Sequence, residues 1–149
     1  MPEYPAEELN IKKTVTARNG YTYTTTEAED DGTMPASLER VSEAVVGHRI
    51  VAVEQYGARW SPGLVITLDD GTRAWVKGVE DCCAYTQVEE FLLHADKIDH
   101  IITGVGTTDL YTTWHFYADA GDVLEMKVAW SCGNPFYYGY GFQVEVETL

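Results

Sequence analysis

Cysteine is scarce in this chain, three in 149 residues, and two of the three are adjacent at Cys82-Cys83. An odd number with no spacing between two members is not a disulfide framework, so a reducing compartment is the expected setting. Cations are scarce as well. Ten Lys and Arg stand against 24 Asp and Glu, a formal net charge of −14, and that summed field repels nucleic-acid phosphates and anionic lipid. Direct contact with nucleic acid or membrane is therefore not expected. No apolar run approaches the roughly 20 residues that span a bilayer. The first residues, Met-Pro-Glu-Tyr-Pro-Ala-Glu-Glu, carry neither a basic start nor an apolar stretch, so a cytoplasmic location is expected.

Other signatures are missing too. Two-residue-separated cysteines and paired histidines do not occur, and a zinc reading from Cys82 or Cys83 with Cys132 and one of His94, His100 or His115 lacks the usual chelate spacing. No metal and no cofactor are expected on that ground. Gly104-Val105-Gly106 is followed by Thr107, Thr108, Tyr111, Thr112 and Thr113, which resist the helix that a phosphate-binding turn needs. The acidic pairs Asp30-Asp31, Asp69-Asp70 and Glu89-Glu90 read as turn and solvent groups.

What the chain does have is aromatic and β-branched: 45% hydrophobic and 12% aromatic, with ten Tyr and four Trp, enough for one buried core at this length. Residues 14–26 alternate Thr, Val and Tyr around Asn19-Gly20, the dipeptide of tight hairpin turns, so a hairpin is expected near 13–26. Ser37 is a suitable cap for a helix over 38–46 whose Leu38, Val41, Ala44 and Val45 recur at helical spacing and which Gly47 ends. The period then changes to two. Strands are expected at 50–54 and around Leu64, Ile66 and Leu68, turning at Asp70-Gly71 into 72–76. Thr86 is a suitable cap for a second short helix, with Val88, Phe91 and Leu92 inward, ending near His94. Four further strands are expected at 98–105, 111–118, 122–131 and 140–147. In the third, Leu124, Met126, Val128 and Trp130 share one face. In the fourth, Phe142, Val144 and Val146 do.

The resulting fold class is α+β: mainly an antiparallel β-sheet with two short helices and an N-terminal β-hairpin. Residues 1–149 read as a single domain, with 1–36 a hairpin extension and 37–149 the α+β core.

Two segments at element ends, where loops carry function, stand out as a ligand or interaction surface. One is Asp81, Cys82, Cys83 and Tyr85. The other runs from Trp130 through Cys132, Asn134, Phe136, Tyr137 and Tyr138 to Tyr140. Trp114 and His115, in Trp-His-Phe-Tyr, join them as candidates, although that run reads first as core-and-surface alternation on a strand. A thiol just before a helix start would have a lowered pKa, so an enzymatic or ligand site around Cys82, Cys83 and Cys132 is one alternative. The leading reading is not an enzyme but a protein-interaction module, because aromatics dominate interface energetics. No catalytic residue is singled out.

Gly47-His48-Arg49-Ile50-Val51, Leu68-Asp69-Asp70-Gly71-Thr72, Asp81-Cys82-Cys83-Ala84-Tyr85 and the run Trp130 to Phe142 together resemble an uncharacterised family, a domain of unknown function found in actinobacteria and their phages. The resemblance covers about 47–149 and leaves 1–36 outside. It implies an origin and a domain extent, with no activity. A phage origin would imply the host cytoplasm, a host or viral protein as partner, or a virion structural or assembly role.

Overall fold

The computed structural model describes residues 4, 12–16, 22–26, 34–57, 62–80, 85–131 and 141–148. Among them one helix, α1 (Met34–Val45), is followed along the chain by a 3-10 turn at Ala95–Lys97. The strands are β1 (Lys12–Thr16), β2 (Thr22–Thr26), β3 (Ile50–Tyr56), β4 (Gly63–Leu68), β5 (Arg73–Lys77), β6 (Val79–Glu80), β7 (Tyr85–Leu93), β8 (Gly104–Thr108), β9 (Thr113–Ala118), β10 (Gly121–Ser131) and β11 (Gln143–Glu147). All pairings are antiparallel, in the order β6-β7-β10-β9-β8 in one sheet and β11-β5-β4-β3 in another. The mainly antiparallel architecture thus follows the sequence reading. Among the described residues, strands β1 and β2 pair only with each other. The Asn19-Gly20 turn meant to join them lies outside the described residues, and the N-terminal hairpin stays an expectation.

Helix α1 begins earlier than Ser37 suggested. Pro35 occupies its first turn, where a missing N–H is no loss, and Ser37 lies inside the helix at 1% exposure. Its hydroxyl donates to the Phe142 carbonyl at 3.1 Å. A buried carbonyl without a donor is costly, so this tertiary acceptor takes the hydroxyl that a cap would have used. Ser37→Ala is expected to lower stability by about 1–3 kcal/mol, read as a fall in the urea midpoint at constant slope. At the other end Gly47, at φ 90°, donates its N–H to the Ile102 carbonyl at 2.9 Å and stops the helix as expected.

The second expected helix is a strand. Residues 85–93 pair with β10, and the register shifts so that Lys127 faces Glu90 while Val128 faces Val88. Glu89 is the extra residue of a β-bulge, which moves the inward side chains from Thr86 and Val88 to Phe91 and Leu93. The three-residue step from Val88 to Phe91, which imitates a helical face, is a strand changing phase. Leu92 points outward, 56% exposed. The strand expected over 98–105 is also shifted, to 104–108, because the 3-10 turn and the turn after it occupy the preceding residues.

The turn at Asp69-Asp70-Gly71 forms as the sequence indicates. Asp70 Oδ1 accepts from both the N–H and the hydroxyl of Thr72, and Gly71 takes the positive φ of 88°. Helix α1 packs on β5 and β11 of one sheet and β8 of the other, and β7 meets β3 and β4. Between them lies one apolar cluster, centred on Leu64, Ile66, Val76, Trp114, Phe116, Leu124 and Met126.

Candidate functional site

Strand β9 alternates as a half-buried strand should. Trp114 and Phe116 enter the core at 0% exposure, so His115 and Tyr117 lie on the opposite, polar face of the five-stranded sheet. There His115 faces Glu125 of β10 on one side and Gly106 of β8 on the other, while Tyr117 faces Asp122 and Gly104.

Asp122 reaches this face only through a bulge. In an unbroken strand it would share the core face with Leu124 and Met126. The β9–β10 register shifts between Asp122 and Leu124, leaving Val123 as the extra residue, fully buried, with its carbonyl accepting from the His94 N–H at 2.8 Å. The shift turns Asp122 to the polar side, three positions from Glu125. Re-aiming one side chain is a common use of a bulge.

His115 Nδ1 lies 2.9 Å from Asp122 Oδ2 and 4.0 Å from Glu125 Oε1. Its Nε2 lies 2.9 Å from the Thr108 hydroxyl. The remaining Asp122 oxygen accepts from the Tyr4 hydroxyl at 2.8 Å, and the remaining Glu125 oxygen lies 2.9 Å from His94 Nε2. A carboxylate at Asp122 can only accept, so Nδ1 is the donor to it, and in the tautomer with the proton on Nδ1 the Nε2 atom accepts from the Thr108 hydroxyl. Hydroxyl, imidazole and carboxylate stand in the order of a nucleophile relay. Thr108 is a crowded secondary alcohol, however, and the Tyr4 ring covers the imidazole, stacked at 4.0 Å with 9° between the planes.

Gly106 admits that ring, and Gly104 admits the ring of Tyr117. A methyl group at Gly106 would overlap Tyr4 Cβ, and one at Gly104 would overlap the Tyr117 ring. Tyr4 and Tyr117 meet at 5.3 Å. The Tyr4 phenol is pushed up to about 12, first by burial, then by its hydrogen bond to Asp122 and the charges of Asp122 and Glu125. It therefore remains a neutral donor.

The chain belongs to the DUF7448 family. The model of this domain of unknown function matches residues 43–144, about two-thirds of the chain. No curated protein and no solved structure matches the chain. The matched span starts near the end of α1 and runs into β11, so it contains His94, Thr108, His115, Asp122 and Glu125, while Tyr4 lies before it.

Of the residues singled out from sequence, Asp81, Cys82, Cys83, Cys132, Asn134, Phe136, Tyr137, Tyr138 and Tyr140 lie outside the described residues. Tyr85 and Trp130 lie at one end of the five-stranded sheet, where Tyr85 pairs with Ser131 and Thr86 with Trp130. Trp114 is not at this surface: it is a core side chain, its indole donating to the Tyr111 carbonyl at 2.9 Å. His115 is on the polar face just described. Tyr4, Thr108, Asp122 and Glu125 were not singled out by sequence, and His94 only as a partner for thiolates.

The same end of the sheet carries an unusual turn. Asp109, Leu110 and Tyr111, between β8 and β9, all have positive φ, 57°, 54° and 62°, a conformation that costs L-residues roughly 1–2 kcal/mol each. It is held from several sides. Trp130 Nε1 donates to the Leu110 carbonyl at 2.8 Å, Trp114 Nε1 to that of Tyr111, and Thr112 donates to that of Asp109 through N–H and hydroxyl. Leu110 stands outward at 61% exposure, with Tyr85 at 41%.

A second histidine–carboxylate group, His48, Asp69 and Asp70, sits at the β4–β5 turn. Asp69 is held below the usual carboxylate range by hydrogen bonds from His48 and the Arg49 backbone, and Asp70 by those from Thr72. These acids are occupied in building the turn. On the outer face of the four-stranded sheet a shallow groove is lined by Tyr56, Trp75, Lys77, Glu145, Val146 and Glu147. Trp75 pairs with Glu147 at 3.0 Å and Lys77 with Glu145 at 2.6 Å, while the buried Tyr56 hydroxyl has no hydrogen-bond partner among the described residues. Among the described residues no helix is long and apolar enough to cross a membrane.

Proposed function

We propose that this protein is a protein-interaction module whose contact surface is the end of the five-stranded sheet that carries Leu110, Tyr85 and Trp130. The observation that carries the reading is the Asp109–Tyr111 turn. Three consecutive non-glycine residues in left-handed conformation are retained although glycine would relieve them, and two indoles pin the backbone so that a leucine faces outward. Strain maintained by surrounding hydrogen bonds, and spent on presenting an apolar side chain, fits recognition of another surface. In the sequence, residues 132–140 follow Ser131 and include Phe136, Tyr137, Tyr138 and Tyr140; they lie outside the described residues. Aromatic anchors of that kind supply most of the energy of protein contacts. If the chain is phage-encoded, the partner is a host or viral protein.

Leu110→Gly separates stability from recognition. Glycine accepts the positive φ without cost, and the exposed leucine contributes little packing, so stability is expected to rise by about 1 kcal/mol. In-cell cross-linking of the full chain should then lose the partner captured by the native protein. Capture at undiminished strength by Leu110→Gly, and by Tyr85→Ser at the same end of the sheet, would remove this surface from consideration.

A further inference from the structure

The three side chains His115, Asp122 and Glu125 offer Nδ1, Oδ2 and Oε1, all within 4.8 Å of one another. Donors that each sit about 2.0–2.2 Å from one ion lie roughly 3–4 Å apart, so small side-chain rotations would close this set on a cation. The remaining ligating atom of each residue is held by a different group outside the trio. Thr108 holds His115 Nε2, Tyr4 holds Asp122 Oδ1 and His94 holds Glu125 Oε2. Such outer partners orient metal ligands and fix the imidazole tautomer. With the ion on Nδ1, the proton moves to Nε2 and is donated to the Thr108 hydroxyl, which is already in place to accept it.

Charge supports the same conclusion. Asp122 and Glu125 are 17% and 28% exposed, and among the described residues neither forms an ion pair with Lys or Arg. Lys127 Nζ instead donates to the Thr113 hydroxyl, and Lys97 Nζ comes near Gly121 on the bulged strand. Two partly buried carboxylates sharing imidazoles want a counter-charge in that space. From these observations we infer that His115, Asp122 and Glu125 form a divalent-cation site on the polar face of the five-stranded sheet, supported by Thr108, His94 and Tyr4. One imidazole and two carboxylates suit a borderline ion of the manganese, iron or zinc class better than a soft one. Three protein donors leave coordination positions for water or an oxygen ligand.

The test uses Mn2+ with the full chain, because thiolates at Cys82, Cys83 and Cys132 are poor ligands for it. Free Mn2+ is followed by its electron paramagnetic resonance signal. The native protein should remove one equivalent, and Zn2+ should displace it. Glu125→Gln and Asp122→Asn should abolish uptake, Thr108→Val and Tyr4→Phe should weaken it roughly 10–100-fold, and Asp69→Asn with Asp70→Asn should leave it unchanged. Circular dichroism checks the fold of each. No saturable uptake by the native protein, or equal uptake by Glu125→Gln, overturns the site. Should the Asp122 or Glu125 variant unfold, undiminished uptake by both Thr108→Val and Tyr4→Phe overturns it instead.

Discussion

Replacing Trp114 with alanine is expected to lower the unfolding free energy by about 3–5 kcal/mol, a large share of the roughly 5–15 kcal/mol available to a domain. The indole is fully buried and meets Phe142 edge-on at 5.7 Å and Tyr111 at 6.5 Å. Those contacts tie β9 both to the segment entering β11 and to the left-handed turn. Its Nε1 also holds the Tyr111 carbonyl, so truncation leaves a cavity and releases one of the bonds that sustain three positive φ angles. Equilibrium urea unfolding of native and variant chains measures the loss. Trp114→Phe, which keeps most of the volume and forfeits the hydrogen bond, should cost less, about 1–3 kcal/mol. A loss below about 1 kcal/mol for alanine would show that the turn does not depend on this side chain.

Gly106→Ala is expected to evict Tyr4 from the polar face. The added methyl group overlaps Tyr4 Cβ, and the ring cannot retain its 4.0 Å stack on His115. Tyr4 then loses both its burial and the Asp122 acceptor. Its phenol should return from about 12 toward the ordinary value of about 10, read from the alkaline titration of its ring carbon by nuclear magnetic resonance. The sign of the linkage follows. A phenol raised above its unfolded value contributes stability that is fully present below about pH 10 and is lost as pH rises through about 12. Native stability should thus decline across that interval, and the Tyr4 part of the decline should be absent in Gly106→Ala. Tyr56, raised by burial and by the Glu145 charge, contributes to both proteins in the same direction. An unchanged Tyr4 titration in Gly106→Ala would mean that the ring is not held by this niche.

Much of the sheet is legible because period-two alternation has a direct physical cause. A strand with one dry face must alternate, and Leu124, Met126 and Val128 do so in β10 and are buried. The turn at Asp70-Gly71 and the helix stop at Gly47 were readable for a local reason too, since both need a positive φ that glycine supplies. Where alternation breaks, the reading breaks with it. Glu89 inserts one residue into β7, and the phase change resembles a helical step. Phe142 just before β11 and Val144 within it turn inward, but Val146 is 53% exposed, because only β5 flanks this edge strand.

The polar-face cluster was hidden for the same reason. Parity alone assigns Asp122 to the face of Leu124, and no local pattern announces the bulge at Val123. It arises from pairing with β9 and from the His94 N–H that takes the Val123 carbonyl. Tyr4 is more than 100 positions from the groups it touches, and only the tertiary fold brings them within 4 Å.

By itself, then, the sequence determined the class of architecture, the turns that glycine permits and a net charge of −14, which follow from local periodicity, local sterics and composition. The tertiary structure alone decided the rest. Strand pairing chose where the bulges fall, the bulges chose which face each acid occupies, and His94, Thr108, His115, Asp122, Glu125 and Tyr4 became neighbours because their positions depend on register between strands that are distant in the chain.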